Sequence, residues 1–208
     1  MALEKLPAFP GDEIALQAID KGENCFIDIY EYPNNNVVLG RTTSLSLDIN
    51  VAECNRDGVP ILRRKGGGGA VFLARGVWVI TACYANFKKG INIPLVLENI
   101  ALEIAHSLEQ ITNVRITLRG MGDLCIGDRK ILGSSLYNGR GAILYQGSLL
   151  VDNDLSLISK FLKHPSKEPE YRGGRSHEEF ITNLFCISKI DTAIMKQCLM
   201  HRLQTFKI

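Results

Sequence analysis

Four consecutive glycines at residues 66–69 are the feature that most constrains how this chain folds. Glycine loses more conformational freedom on folding than any other residue, so a fold keeps such a run where it needs positive φ angles or where a ligand lies against bare backbone. Two arginines and a lysine precede the run at residues 63–65. Cations beside exposed backbone N–H groups suit a phosphate or a carboxylate. The stretch therefore predicts an anion-binding turn beside strands, with a flexible surface loop as the alternative.

Composition and charge limit the class of protein. The chain has 208 residues, 46% of them apolar, which allows one substantial core, so we expect a single domain over residues 1–208. A net charge of +2 does not mark a nucleic-acid-binding protein. The sequence has no apolar run near the roughly 18 residues of a membrane span, and residues 1–10 lack the apolar core of a secretion signal. We therefore expect a cytoplasmic protein with no nucleic-acid or membrane partner.

Hydrophobic periodicity predicts a mixture of helices and strands. Apolar residues at helical spacing predict helices over residues 11–22, 47–57, 95–110, 155–162 and 187–208. Alternating or β-prone runs predict strands at residues 25–32, 37–40, 61–62, 77–86, 114–118, 124–126 and 142–151. The first two strands are predicted to form a hairpin around an asparagine turn. This order of elements favours an α+β fold with a mixed, largely antiparallel β-sheet flanked by helices.

Three segments together resemble the lipoate–protein ligase and octanoyltransferase family, which belongs to the same superfamily as the biotin ligases. Residues 63–72 are similar to the family's Arg-Arg-x-Ser/Thr-Gly-Gly-Gly-Ala-Val stretch. Residues 127–135 resemble its Gly-Arg-Lys-Ile-x-Gly-Ser-Ala stretch, and residues 147–150 resemble its His-Gly-Thr-Leu-Leu. Each motif alone is weak, but the set keeps the family's order over roughly residues 10 to 190.

The resemblance implies a catalytic domain of the biotin/lipoate ligase type, without the C-terminal accessory domain found in many ligases. In the ligase branch, ATP with Mg²⁺ activates lipoate or octanoate as the acyl-AMP, and the acyl group then passes to a lysine of a lipoyl carrier domain. The carrier would be the E2 subunit of a 2-oxoacid dehydrogenase, the glycine cleavage H protein or a similar protein. A separate accessory subunit could complete the enzyme.

The matched motifs also imply site residues. Lys130 is the lysine that contacts the acyl carbonyl and the α-phosphate, and its ammonium would stabilise the negative charge that forms as a carboxylate attacks phosphorus. Asp123 occupies the family's aspartate position and could hold Mg²⁺, with an Asx turn as the alternative. The nucleotide would be bound by Arg64, Gly67, Gly68, Gly69, Ala70, Gly133, Ser134, Ser135 and Arg140. The acyl group would be bound by Val71, Phe72, Gln146, Gly147 and Ser148.

Some positions depart from the family pattern and leave the substrate, and even activity, open. A serine or threonine, a His-Asp pair, an asparagine and a histidine are replaced here by Gly66, Leu73-Ala74, Gly122 and Gln146. Residues 164–177 are polar and rich in proline, glycine and arginine, which predicts a mobile surface loop. Within this segment, residues 172–177 stand where family members bring a mobile segment over the substrate, and their arginines would suit phosphates; a disordered loop is the alternative.

Two alternatives to the ligase remain. An octanoyltransferase, taking its acyl group from acyl carrier protein, needs a cysteine nucleophile in an accessible, electropositive pocket. The six cysteines stand singly and are interpreted as reduced and mostly buried, and Cys125 and Cys186 are the only candidates near matched segments. Because none matches the transferase position, the ligase is favoured. The second alternative is a non-catalytic relative that retains an acyl or nucleotide pocket.

Overall fold

The computed structural model of the chain describes residues 5–86 and 90–207. Its helices are α1 (Pro10–Asp20), α2 (Leu45–Asp48), α3 (Val51–Arg56), α4 (Ile93–Thr112), α5 (Ser156–Phe161), α6 (His177–Phe180) and α7 (Thr192–Thr205). Its strands are β1 (Cys25–Glu31), β2 (Asn36–Leu39), β3 (Ile61–Arg63), β4 (Val71–Leu73), β5 (Val77–Ala85), β6 (Thr117–Arg119), β7 (Asp123–Ile126), β8 (Arg129–Gly139) and β9 (Ala142–Leu150). Within the two described ranges, no helix is long and apolar enough to cross a membrane.

The strands form two sheets. The larger sheet has the order β1-β5-β9-β8-β7-β6, and each neighbouring pair in it is antiparallel. The smaller sheet has the order β3-β2-β4, in which β2 is parallel to β3 and antiparallel to β4. The predicted fold class, α+β with a mixed, largely antiparallel sheet flanked by helices, is confirmed.

The core is divided by the larger sheet. Because side chains alternate along a strand, Tyr145 and Leu149 of β9 pack with α4 and α7 on one face of the sheet. Leu150 packs on the other face with the smaller sheet and α5, and Leu144 packs there with α1. The layer formed by α1 and the smaller sheet brings the glycine stretch onto β8.

The predicted hairpin between residues 25–32 and 37–40 is wrong, although both strands exist. β1 pairs with β5 along its whole length, whereas β2 is the central strand of the smaller sheet. All four residues of β2 are buried, so its backbone polar groups need partner strands on both edges. The asparagine turn therefore carries the chain from one sheet to the other.

Two predicted boundaries also move because hydrogen bonds to other elements intervene. β6 begins at residue 117 because the N–H of Ile116 donates to Glu109 Oε1 at 2.7 Å, which ties the preceding residues to the end of α4. The single helix predicted over residues 47–57 is split into α2 and α3, because the N–H of Asn50 donates to the backbone of α5 at 2.9 Å.

Candidate active site

The glycine turn, defined as residues 64–70, joins β3 to β4 and passes over one face of β8. A Cβ added to Gly66 would stand 2.7 Å from Ser135 Oγ on β8, and one added to Gly40 would stand 2.0 Å from Gly68 O. Gly68 itself has a φ of 84°, a left-handed conformation that favours glycine. Close packing and backbone geometry thus explain part of the glycine run.

Gly67 and Gly69 differ from these two glycines. A Cβ on either residue would meet none of the described atoms within 4 Å, and neither residue has a positive φ. The fold therefore gives no steric reason for glycine at these two positions. Their bare backbone leaves room in which a ligand could approach the main-chain N–H groups.

Arg64 braces the glycine turn from inside. It is only 8% exposed, and it donates to Ser135 Oγ at 3.1 Å and to the carbonyl oxygens of Val38, Gly67 and Gly69 at 3.2, 2.6 and 2.9 Å. Burial lowers the pKa of Arg64 to about 10, so the guanidinium stays charged at neutral pH. Because these donors point to protein atoms, Arg64 shapes the turn.

Asp12 of α1 also holds the glycine turn, by a hydrogen bond to its backbone. It is 1% exposed, and its Oδ2 accepts the N–H of Lys65 at 2.6 Å. Burial raises the pKa of Asp12, and the Lys65 N–H, the Gln146 amide and nearby cations partly offset this. Asp12 was not among the residues predicted for the site. Its partner is 53 positions away, so no local pattern signals the contact.

The side chain of Lys130, near the start of β8, extends along the strand toward Gly133. Its Nζ lies 2.8 Å from Asp123 Oδ1 on β7, and its side chain is 24% exposed. A Cβ on Gly133 would stand 2.8 Å from this Nζ, so a larger residue there would displace the ammonium. The missing side chain of Gly133 thus provides the space in which the ammonium lies.

Lys130 and the glycine turn lie on the same face of β8. Residues 133 and 135 share a face because side chains alternate along a strand. Gly133 lies under the Lys130 ammonium, and Ser135 contacts both Gly66 and Arg64. The two elements therefore converge on positions about 7 Å apart along one strand.

Two of the predicted acyl-binding residues lie on this face as well. Gln146 is paired with Ser135 across the β8–β9 ladder, and Ser148 Oγ donates to Gly133 O at 3.4 Å. Gln146 is 8% exposed and lies beside Asp12. Gln146, Ser148 and Lys130 therefore make this face of the sheet polar.

Other predicted residues lie elsewhere. Ser134 is on the opposite face of the sheet, where its Oγ donates to Gly122 O at 2.8 Å, and Gly147 lies there beside Tyr145. Phe72 is 3% exposed and stacks on Phe161 at 4.8 Å between the sheets. The half-buried Ala70 and Val71 pack against the same apolar cluster.

Arg140 does not lie beside Lys130, but it shares the carboxylate of Glu13 with Lys65 of the glycine turn, whose Nζ lies 3.9 Å from Glu13 Oε2. Arg140 follows the last residue of β8, ten positions beyond Lys130, which is about 30 Å of extended strand. Its Nη1 donates to Glu13 Oε1 at 2.9 Å, and it also pairs with Asp20, both on α1. The pairing lowers the pKa of Glu13. Arg140 therefore attaches the β8–β9 turn to α1.

The residues around Asp123 do not fit a Mg²⁺ site built by the protein. Oδ1 of Asp123 is paired with the Lys130 ammonium, and Oδ2 accepts the Tyr171 hydroxyl at 2.7 Å. No group of three or more His, Cys, Asp or Glu side chains among the described residues could hold a metal. Asp123 therefore supplies one carboxylate, and a Mg²⁺ beside it would take its remaining ligands from phosphates and water.

Residues 164–177 form the predicted surface loop, and all of them except Arg172 are exposed or half-buried. Arg172 is 4% exposed, and its guanidinium carbon lies 4.7 Å from the centre of the Phe180 ring. Arg175 Nη1 donates to the carbonyl and carboxylate of Asp128, each at 3.1 Å. These long-range contacts fix the segment beside the start of β8, and the composition of the segment does not reveal them.

The two candidate cysteines have different environments, and that of Cys125 does not suit a nucleophile. Cys125 is fully buried, and burial raises the pKa of its thiol. Cys186 is exposed in the turn after Asn183, whose Oδ1 accepts the Cys186 N–H at 3.0 Å. Of the other thiols, Cys54 and Cys83 are buried as expected, whereas Cys198 is exposed and Cys25 is intermediate.

Comparison with known proteins identifies relatives of this chain. A lipoate-protein ligase A from Blochmanniella floridana is 32% identical over 156 residues, which cover 72% of this chain and 44% of the relative. A probable lipoate-protein ligase A from Mycoplasma pneumoniae is 28% identical over 177 residues, which cover 83% of this chain and 50% of the relative. The chain thus spans about half the length of the curated relatives it matches.

Solved structures share the fold. A bipartite lipoate protein ligase from Thermoplasma acidophilum, described with its E2 lipoyl domain, superimposes with a TM-score of 0.77 at 20% identity, covering 97% of this chain and 80% of that one. A lipoate-protein ligase A bound with ATP gives a TM-score of 0.77 at 19% identity, covering 93% and 77%. The family model of the lipoyl protein ligase A/B catalytic domain matches residues 7–204. The chain belongs to the lipoyl protein ligase A/B catalytic domain family.

Proposed function

We propose that this domain is an ATP-dependent lipoate–protein ligase, which activates lipoate or octanoate and transfers the acyl group to a lysine of a lipoyl carrier domain. The observation that carries the proposal is the placement of the Lys130 ammonium on the same face of β8 as the glycine turn. A fixed cation beside open backbone N–H groups is suited to a carboxylate that reacts with a phosphate.

In the first step a carboxylate oxygen of the acid attacks the α-phosphorus of ATP, an oxygen–phosphorus bond forms, and pyrophosphate leaves with the electrons of the broken bond. Negative charge increases on the phosphoryl oxygens, and the Lys130 ammonium would stabilise it. Gly67 and Gly69 support this assignment because no side chain covers their main chain and neither N–H group donates a hydrogen bond to the described backbone. Mg²⁺ would accompany the phosphates of ATP, since the described residues offer no metal cage.

In the second step the amine of a carrier lysine attacks the carbonyl of the acyl-AMP. A carbon–nitrogen bond forms, AMP leaves, and the amine releases a proton to solvent. A lipoyl domain of E2 type is the proposed carrier, because a structural relative is described with its E2 lipoyl domain. The same relative is described as bipartite, which supports a separate accessory subunit as a further partner.

Lipoate-dependent exchange between ATP and labelled pyrophosphate tests the proposal, because exchange requires reversible formation of the acyl-AMP. Exchange with lipoate or octanoate, followed by a mass increase of a lipoyl domain equal to the acyl group, is the expected result. The ratio of the two exchange rates identifies the preferred acid.

Other outcomes would replace the proposal. Transfer from octanoyl acyl carrier protein without ATP, blocked by a thiol alkylator, would indicate a transferase, which the burial of Cys125 disfavours. Binding of lipoate or ATP without either reaction, with the accessory subunit present, would indicate a non-catalytic relative.

A further inference from the structure

We propose that Tyr171 is a positioning residue, which holds the Lys130 ammonium over Gly133 by fixing the Asp123 carboxylate; this role rests on the proposed function. Tyr171 lies outside every segment that resembles a family motif, in the 3-10 turn Glu170–Arg172. Its hydroxyl donates to Asp123 Oδ2 at 2.7 Å, while Asp123 Oδ1 pairs with Lys130 Nζ at 2.8 Å. One carboxylate thus links the tyrosine to the ammonium.

The tyrosine ring is held on several sides, so its hydroxyl has a defined position. The ring centre lies 5.3 Å from that of Phe180, and the guanidinium of Arg119 lies 5.8 Å from it. A Cβ on Gly120 would stand 3.4 Å from the ring. Burial and the neighbouring Asp123 raise the pKa of Tyr171, so the hydroxyl remains a donor at neutral pH.

The backbone of Lys130 is held by the same part of the chain. The N–H of Thr182 donates to Lys130 O at 2.9 Å, and Ile181 forms a parallel bridge with Lys130. Beside it, Arg129 Nη2 donates to Glu178 O at 2.8 Å. Residues 171–182 therefore position both the main chain and, through Asp123, the side chain of Lys130.

An ammonium on a flexible side chain stabilises a transition state only when its position is fixed before the reaction. Asp123 can rotate about its side-chain bonds unless both oxygens are bound, and Tyr171 binds the second one. Loss of the hydroxyl should therefore slow the chemical step without weakening substrate binding.

The test is Tyr171→Phe, which removes the hydroxyl and keeps the ring. The rate constant for acyl-AMP formation in a single turnover should fall about tenfold at saturating lipoate and ATP, with KM values within about twofold. Tyr32→Phe is the matched control, because the half-buried Tyr32 also donates one hydrogen bond, to Asn36 Oδ1 at 2.9 Å, outside the site. The control should keep the wild-type rate, and both variants should unfold at the same temperature within a few degrees.

A double-mutant cycle separates positioning from a general structural effect. If Tyr171 acts through Asp123, Tyr171→Phe should cause no further loss in an Asp123→Asn background. A full tenfold loss in both backgrounds, or wild-type activity of Tyr171→Phe, would overturn the role.

One readout does not depend on activity. Reductive methylation of Lys130 in the free protein, followed by mass spectrometry, should be faster in Tyr171→Phe than in wild type or Tyr32→Phe, because the ammonium is less restrained. Unchanged methylation would contradict the role of Tyr171. Faster methylation in a protein that forms no acyl-AMP would preserve the role and overturn only the proposed ligase activity.

Discussion

Arg64 and Lys130 are two cations on one face of the larger sheet, and the protein holds them in opposite ways. Arg64 is buried and gives four hydrogen bonds to protein atoms. The Lys130 side chain is 24% exposed, and its ion-pair partner in the described part of the chain is Asp123. A guanidinium with its donors engaged fixes a shape, whereas an ammonium with N–H groups left over can meet a ligand.

This difference separates the residue that builds the site from the residue proposed to do its chemistry. Both belong to motifs that resemble the same family, so sequence similarity alone does not distinguish their roles. Burial and hydrogen bonding distinguish them. Variants should therefore affect stability at Arg64 and reaction rate at Lys130.

The largest effect is expected for Lys130→Ala. Removing the ammonium should lower the rate of acyl-AMP formation by about a thousandfold and change the free energy of unfolding by no more than about 2 kcal/mol, since Asp123 keeps its hydrogen bond from Tyr171. Lys160→Ala is a matched control, because Lys160 is also ion-paired, with Asp57, but lies on α5 away from β8. Rapid-quench assays and urea unfolding of both variants measure the two quantities. Normal lipoate activation by Lys130→Ala would remove this residue from the mechanism.

Arg64→Lys should show the reverse pattern. Lysine keeps the charge but has no planar fork for four acceptors, so the free energy of unfolding should fall by about 3 kcal/mol. Arg56→Lys is the control, since the Arg56 side chain is 61% exposed and pairs only with the nearby Glu53 and Asp57 in the described structure; it should cost less than about 1 kcal/mol. If Arg64→Lys and Arg56→Lys have the same free energy of unfolding in urea, Arg64 does not stabilise the fold through its hydrogen bonds.

The sequence predicted the fold class and the family because these depend on local periodicity and on short ordered motifs. The sequence did not predict which strands pair. β2 lies in the smaller sheet and does not pair with β1, because its four buried residues need a partner strand on each edge. Tyr171 was missed for the same reason, since its partner Asp123 is 48 positions away. The sequence also did not show that Arg140 pairs with Glu13 and Asp20 of α1, since both partners are more than 100 positions away.

A smaller effect is expected in the glycine turn, where substitutions at the neighbouring residues Gly66 and Gly67 should act differently. Gly67→Val should leave stability unchanged within about 0.5 kcal/mol, because no described atom outside residues 66–68 lies within 4 Å of the new Cβ. It should raise the KM for lipoate or ATP about tenfold by filling the space proposed for the ligand. Gly66→Val should instead destabilise the fold, because its Cβ would stand 2.7 Å from Ser135 Oγ. Unaltered KM values in a folded Gly67→Val protein would mean that the turn binds no substrate.

The smallest expected effect is the dependence of stability on pH that Asp12 causes. Burial raises the pKa of Asp12, so the native state binds its proton more tightly than the unfolded state does. The contribution of Asp12 to stability should therefore fall as pH rises from about 3.9 through the raised native pKa. Relative to wild type, Asp12→Asn should become more stable over that window in urea unfolding at stepped pH. A difference that stays constant with pH would show that the carboxyl is not perturbed.

The most direct test of the account is a crystal structure of this domain with a non-hydrolysable lipoyl-AMP analogue. The account predicts that Lys130 Nζ and the main chain of Gly67 or Gly69 contact the same ligand, on the face of β8 that carries Gly133 and Ser135. An analogue bound elsewhere, such as the cleft of about 740 Å³ lined by Asn34, Asp57 and Lys160, with Lys130 still paired only to Asp123, would contradict it.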